Sequence, residues 1–461
     1  MKPKVGIISL GCPRNLVDSE VLLGILEKNG FEIAELRDAD IGIVNTCAFI
    51  DEAKQESIDM ALELIGLKNT GKLKAVVVAG CLSQRYGKAL VKKLPEVDAF
   101  IGCGDIEKIS DILKKISKKE TAYEVSKTPS FIYSHAHPRY RITPPHYAYV
   151  KISEGCENRC SFCVIPSIKG SYRSRPIESV LKEVDGLSKA AHLSEINLVG
   201  QDTTLYGTDL TPTRCNVTPR RCKGVYGEPK IIELLKKLCA SGGYKRWIRL
   251  LYTYPSHIED ELIGLFAEEK ALCKYMDLPI QHINDKILAR MKRPTTKRDI
   301  WDLIKKIRSR IPGVTLRSSV IVGFPGESDE DFSELVDFIK EVKFERLGVF
   351  TYSQEEGTPA YDYSDQIDEE SKLERFNTLM SIQKDIAQVI NRSFLGRTIE
   401  VLIDEKDESA EDSYIGRTEG DAPEVDGEVF VKGRGLKPGD FVKVKIAGTL
   451  EYDLIGEVIH R

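Results

Sequence analysis

The sequence predicts an α/β protein in three parts: an N-terminal open parallel sheet, a central parallel barrel and a C-terminal small antiparallel β-barrel. Three observations predict it. Strand-like apolar runs alternate with helical patterns from Val5 to about Ile116, and again from Tyr147 to about Tyr363, as in parallel sheets covered by helices. After a helical stretch, Ser371–Ile390, only short alternating strands separated by Gly and Asp turns follow, the pattern of a small β-barrel. A chain of 461 residues also exceeds one ordinary core, so two or three domains are expected. Their expected bounds are 1–125, 142–380 and 391–461.

Composition narrows the class. With 41% hydrophobic and 30% charged residues the chain reads as a soluble globular protein. It contains no run of about 18 apolar residues, so no membrane span is expected. The first apolar run, Val5-Gly-Ile-Ile-Ser-Leu10, is too short for a signal peptide and reads as a strand. A cytoplasmic location is the expectation. There, eleven cysteines argue for metal or catalytic duty rather than disulfides. The net charge of −4 gives no global sign of a nucleic-acid partner.

In the N-terminal part, Val5–Leu10 runs into Gly11-Cys12, Ile41–Thr46 into Cys47, and Ala75–Gly80 into Cys81. Each cysteine thus stands at the carboxyl end of a predicted strand, and in an open α/β sheet those ends face one crevice. A helix follows Cys12, with Asp18 or Ser19 as its N-cap and Leu22, Leu23 and Leu26 on its apolar face. Any one of these cysteines can be a small buried hydrophobe, but all three share the same strand-then-turn context. Cys103, in Ile101-Gly-Cys-Gly-Asp105, is a rival fourth candidate.

Thr121–His146 carries Pro129, Pro138, Pro144 and Pro145 and reads as an extended linker. The alternating strand Tyr147–Ser153 then delivers the chain to Cys156, Cys160 and Cys163, spaced C-x-x-x-C-x-x-C with Phe162 before the last. Three thiolates cannot complete a tetrahedral zinc site. They can hold three irons of a 4Fe–4S cube, leaving the fourth open. Further strands are expected at Glu195–Gly200, Trp247–Tyr252, Tyr275–Ile280, Thr315–Gly323 and Arg346–Tyr352, with helices such as Ile177–Lys189 and Arg298–Ser309 between them. In such a barrel the active site lies at the strand C-termini. Gln201 and Gln281 stand there, as does His282, which reads as a structural histidine rather than a catalytic one.

The Cys156–Cys163 stretch resembles the radical S-adenosylmethionine (SAM) enzymes, whose core is a partial (β/α)6 barrel. Ser9-Leu-Gly-Cys-Pro-Arg-Asn-Leu-Val-Asp-Ser-Glu20, Asn45-Thr-Cys47 and Ala79-Gly-Cys81 resemble the N-terminal domain of the RimO/MiaB-type methylthiotransferases. The end of the chain resembles a TRAM domain. This resemblance implies two 4Fe–4S clusters, one on Cys156, Cys160 and Cys163 and an auxiliary one, carrying a sulfur ligand, on Cys12, Cys47 and Cys81. It further implies that the first cluster binds and reductively cleaves SAM, giving a 5′-deoxyadenosyl radical that abstracts a substrate hydrogen. The auxiliary cluster then delivers a methylthio group, so that two SAM are used per product and an electron donor is required. Val322-Gly-Phe-Pro-Gly-Glu327 resembles the family's turn beside the adenine ring. Gly323, Pro325, Gly326, Gln201, Gln281, Arg317 and Phe162 are therefore the candidate SAM contacts, with no acid–base residue assigned. Thr208–Gly227, with Cys215 and Cys222, departs from the family pattern and reads as a surface insertion; Cys239 and Cys273 read as core residues.

Two branches of the family differ in substrate: an aspartate on ribosomal small-subunit protein twelve, or a tRNA adenosine. From Ser393 to Arg461 there are 9 Lys+Arg against 16 Asp+Glu. Phosphate binding needs cations, so direct RNA binding is not expected and a basic protein partner is favoured. Leu278-Pro-Ile-Gln-His282 and Phe350–Ala360 also look closer to the RimO branch.

Overall fold

The computed structural model describes residues 2–118, 120–210, 227–241 and 246–459. The first sheet opens with β1 (Lys4–Ser9), from which α1 (Pro13–Lys28) leads to the edge strand β2 (Glu32–Ile33). The chain returns through β3 (Ile41–Thr46), α2 (Asp51–Asn69), β4 (Ala75–Gly80), α3 (Cys81–Lys93), β5 (Ala99–Ile101), α4 (Ile109–Ile116) and β6 (Ala122–Glu124). All six strands are parallel, in the order β2-β1-β3-β4-β5-β6. β3 and β4 are buried along their whole length, which is why both read as continuous apolar runs rather than alternating ones.

α1 begins earlier than expected. Pro13 opens it and Cys12 takes the cap position, because the first turn is where a missing N–H leaves nothing unsatisfied. Asp18 and Ser19, expected as caps, are buried inside the helix. The Ser19 hydroxyl instead bonds Ser9 at 2.8 Å, and Asp18 pairs with lysines of the barrel. The expected linker Thr121–His146 is also more structured than its prolines suggest. It supplies β6 to the sheet edge, and its Arg139 spans Glu20 of α1 and Glu183 at 2.5 and 2.7 Å.

The second unit starts with β7 (Tyr147–Lys151). The short antiparallel pair β8 (Ser153–Glu154) and β9 (Arg173–Ser174) brackets the three-cysteine loop and α5 (Ile165–Lys169). There follow α6 (Ile177–Ala190), β10 (Glu195–Val199), α7 (Ile231–Ala240), β11 (Trp247–Leu250), α8 (Asp260–Glu268) and β12 (Tyr275–Asp277). The unit closes with α9 (Asp285–Arg290), α10 (Lys297–Arg310), β13 (Thr315–Val322), α11 (Asp329–Val342) and β14 (Arg346–Thr351). Strands β11-β10-β7 and β12-β13-β14 form two parallel sheets, linked by the Ile248–Leu272 bridge. The six parallel strands make the expected partial barrel, an arc whose outer edges among the described residues are β7 and β14. The N-terminal domain grips both edges. Asp18 of α1 reaches Lys151 of β7, while Lys54 of α2 and Arg85 of α3 share the buried Glu355, just past β14.

α12 (Glu369–Arg392) leads into a closed barrel of β15 (Thr398–Lys406), β16 (Ser413–Arg417), β17 (Val429–Lys432), β18 (Phe441–Thr449) and β19 (Leu454–Val458). Its order is β15-β16-β17-β19-β18, and every pair is antiparallel except β17 with β19. β16 had no clear signal in the sequence. The β16–β17 connection meets the N-terminal ends of the large barrel's strands: Tyr147 donates to Glu424 at 2.8 Å, Tyr275 to Asp426 at 2.7 Å, and Arg346 to Asp421 at 3.0 Å. Part of this module's acidity is thus consumed internally. Glu405, Glu408 and Glu411 remain exposed at the β15–β16 turn. Among the described residues no helix is long and apolar enough to cross a membrane.

Candidate active site between two cysteine triads

The first triad forms because β1, β3 and β4 are neighbours in a parallel sheet and each hands its cysteine to the same edge. Gly11 (φ +86°) and Gly80 (φ +92°) make the turns there. A Cβ on Gly11 would lie 2.8 Å from that of Cys47, and one on Gly80 2.3 Å from the Asn45 side-chain oxygen, so only glycine fits. Burial pushes the Cys47 thiol up to about 12, with Cys81 and Cys12 adding to the push. The register of the three strands sets the three cysteines side by side along one end of the sheet. Cys103, the rival candidate, stands beside them with its sulfur 3.8 Å from that of Cys81. Its S–H, helped by Lys169, pulls the Cys81 thiol's pKa down against the opposing effect of burial.

The second triad lies in the loop between β8 and α5. The Cys160 sulfur sits 3.8 Å from the Tyr254 hydroxyl and 3.7 Å from Arg293, whose guanidinium stacks on Tyr254 at 3.9 Å. Burial raises Cys156 to about 11 and Cys163 to about 12, and in both cases Cys160 adds to it.

Arg14 joins the triads. Its Nε lies 3.4 Å from the Cys12 sulfur and its Nη1 donates to Gly200 O at 3.0 Å, across the domain boundary. Its charge pulls down the thiols of Cys47, Cys156 and Cys163 against the stronger effect of burial. The ring of Tyr252 supports it at 4.4 Å. Below, Lys151 and Lys169 each pair with both Asp18 and Glu154, and Gln201 donates to Glu154 at 2.5 Å. This buried set ties α1 to β7, β8 and α5.

All six cysteines are free thiols. Among the described residues no group of His, Cys, Asp or Glu side chains would hold a single metal ion. Thiolates that each serve a different iron of a cube stand wider apart than ligands of one ion, so two sets of three thiols suit 4Fe–4S corners, Cys103 standing close to Cys81 as a hydrogen-bonding neighbour of the first set. The buried side-chain oxygen of Gln201 is also without a hydrogen-bond partner among the described residues, as expected of a group facing a cofactor.

The other candidate contacts are spread more widely. Gln281 adopts φ +74° at the end of β12's extension, a strained conformation of the kind found at functional sites. Phe162 packs with Phe324, Ile321 and Tyr352, bringing the cysteine loop to the Gly323–Gly326 turn. Arg317 lies within the barrel, 3.9 Å from Asp277 and 3.5 Å from Asp426. Both glycines of the turn have positive φ, and the protein crowds them as well: a Cβ on Gly323 would lie 2.3 Å from Lys372, and one on Gly326 2.4 Å from Asp365. Cys215 and Cys222 lie outside the described residues. Cys273 is buried and Cys239 partly so, within apolar clusters. The residues that sequence reasoning missed are Arg14, Tyr252, Tyr254 and Arg293. The first sits inside the Ser9–Glu20 motif, and the tyrosines stand at a barrel strand's C-terminal end, where the fold itself directs attention.

His282 is structural. It is fully buried, its Nδ1 accepts the Asn284 amide at 3.0 Å, and burial pushes its pKa to about 4. Its Nε2 faces Glu327 at 3.6 Å, whose carboxyl burial lifts to about 7 despite Arg375. The two act oppositely on stability. Between about 4.5 and 7 the folded Glu327 holds a proton that the unfolded chain releases, so stability falls as pH rises. Between about 4 and 6.5 the unfolded His282 takes a proton that the folded one refuses, so stability rises with pH. Urea midpoints of Glu327→Gln are expected to rise across pH 5 to 6.5 relative to wild type, and those of His282→Asn to fall. Parallel profiles for all three proteins would contradict these protonation states.

Comparison with known proteins places this geometry. The radical SAM superfamily model matches residues 150–339, that of the uncharacterized protein family UPF0004 residues 4–102, and the TRAM domain model residues 395–459. The chain is 47% identical over 458 residues to the ribosomal protein uS12 methylthiotransferase RimO of Desulforamulus reducens, covering 99% of both chains. It is 45% identical to that of Clostridioides difficile, again over 99% of each. The chain belongs to the RimO family. It is a radical-SAM methylthiotransferase, and SAM and iron–sulfur chemistry belong to that family. Its fold also resembles the radical SAM methyltransferase TsrM of Kitasatospora setae, with TM-score 0.55 at 16% identity, covering 78% of this chain and 77% of that one.

Proposed function

We propose that this enzyme adds a methylthio group to the β-carbon of an aspartate on ribosomal small-subunit protein twelve, the substrate for which its relatives are named, consuming two SAM per product. Cys156, Cys160 and Cys163 would hold one 4Fe–4S cluster, and Cys12, Cys47 and Cys81 a second that carries the sulfur ligand. Gln201 and Gln281 are the foremost candidates to orient SAM. When bound, these groups supply reducing power, a hydrogen-abstracting radical and methylated sulfur that no side chain possesses.

The chain's own part is placement. Arg293 and Tyr254 fix Cys160; Gly11 and Gly80 let three strand ends converge; the Asp18–Lys151–Glu154–Lys169 set holds the two domains in register. The observation that carries the reading is Arg14, which touches Cys12 and donates to Gly200 at a barrel strand end, next to Gln201, so that the first triad is tied to the barrel's C-terminal face. The exposed Glu405, Glu408 and Glu411 suit a basic protein better than a phosphate backbone.

The test is anaerobic reconstitution. About eight irons per chain and a methylthio mass shift on the ribosomal protein are expected. About four irons, or a shift on tRNA instead, would contradict the proposal.

A further inference from the structure

Arg14 is half-buried and has no carboxylate partner among the described residues. Several buried arginines of the barrel do have one: Arg175 has Glu183, Arg249 has Glu195, Arg375 has Glu327; Arg293 has none among the described residues, but it is spent on Cys160 and the Pro279 carbonyl. The nearby Glu154 is engaged by Lys151, Lys169 and Gln201. A guanidinium offers five donors in a rigid planar fork. Here Nε is spent on Cys12 and Nη1 on Gly200, while Nη2 has no protein acceptor among the described residues and is not among their fully buried unpartnered atoms.

The fork is also held still. Tyr252 lies under it at 4.4 Å and adopts φ +59°, a conformation costly for an aromatic residue and kept only where the surroundings enforce it. The Tyr252 amide is anchored to Asp277 at 2.8 Å, and its phenol oxygen has no hydrogen-bond partner among the described residues. A flat, positioned cation with a free edge, beside an unpaired phenol, is built to receive a carboxylate.

We infer that Arg14, backed by Tyr252, binds the carboxylate of the acceptor aspartate and so sets the enzyme's preference for an acidic side chain. This rests on the reaction proposed above. Arg14 binds; it transfers no proton, and its edge orients the acceptor's β-carbon between the two triads. A second carboxylate, that of SAM, shares this chemistry, and the experiment separates the two.

The reconstituted full-length enzyme and its Arg14→Gln and Arg14→Lys variants are compared for binding of a ribosomal-protein peptide carrying the acceptor aspartate, its asparagine counterpart, and SAM. Arg14→Gln is expected to weaken the aspartate peptide about 10- to 100-fold, to leave the asparagine peptide unchanged and to leave SAM unchanged. Arg14→Lys, which keeps the charge but loses the fork, should fall between. Equal weakening of both peptides, a loss confined to SAM, or no change in any affinity overturns the assignment. If Arg14→Gln loses iron, the Arg14→Lys comparison decides on the same criteria. Should the wild-type enzyme modify tRNA and not the aspartate peptide, the underlying reaction fails, an outcome visible without any variant.

Discussion

Replacing Cys12, Cys47 and Cys81 together with alanine is expected to abolish methylthio transfer while reductive SAM cleavage stays measurable. The three residues stand at one sheet edge in the N-terminal domain, whereas Cys156, Cys160 and Cys163 lie in a loop of the barrel. Iron content should fall from about eight to about four per chain. The sheet itself should survive, because Cys12 and Cys47 are only half-buried and none of the three caps a helix through its side chain. Anaerobic product analysis checks both halves: methionine and 5′-deoxyadenosine persist, methylthiolated product does not. Loss of both activities from a folded protein would refute the division of labour between the triads.

Glu195→Ala is expected to destabilise the protein by about 3–5 kcal/mol, the usual penalty for stranding a buried charge. Glu195 is fully buried at the start of β10, 2.9 Å from Arg249 and 2.8 Å from Arg417 of the C-terminal module. Removing it leaves two guanidinium groups without their shared partner, and Asp404 can answer only Arg417. Chemical denaturation measures the loss, followed by the fluorescence of Trp247, which packs at the same boundary against Phe441 at 5.0 Å. A change below about 1 kcal/mol would mean that water enters this interface freely.

Much of this was legible beforehand, for physical reasons. Strands such as Ala75–Gly80 declare themselves because burial on both faces demands unbroken apolar runs, and cysteines placed after three of them had to meet once the strands proved adjacent. The six-strand arc followed from the same alternation. Less visible was what depends on distant pairing. Asp18 looks like a cap in sequence because short acids favour helix starts; its true partners, Lys151 and Lys169, lie more than a hundred residues away. Arg14 reads as one more charged residue until Gly200 and Tyr252 arrive beside it. The glycines of the 323–326 turn advertised a ligand, and Lys372 and Asp365 crowd the same positions from the protein side. Net charge overstates the exposed acidity of the last module for the same reason, since counting Asp421 and Asp426 takes no account of the arginines waiting for them in the barrel.

The acidic connection between β16 and β17 has a consequence for how the enzyme can be dissected. The large barrel's floor holds Tyr147, Arg346 and Tyr275, and their counterparts are Glu424, Asp421 and Asp426, residues that arrive only when the last seventh of the chain is in place. A truncated enzyme would be left with an Arg346 lacking its carboxylate and two phenols lacking their acceptors at the bottom of its reaction chamber. Deleting the terminal module to ask what it recognises would therefore report first on whether the chamber can hold its shape.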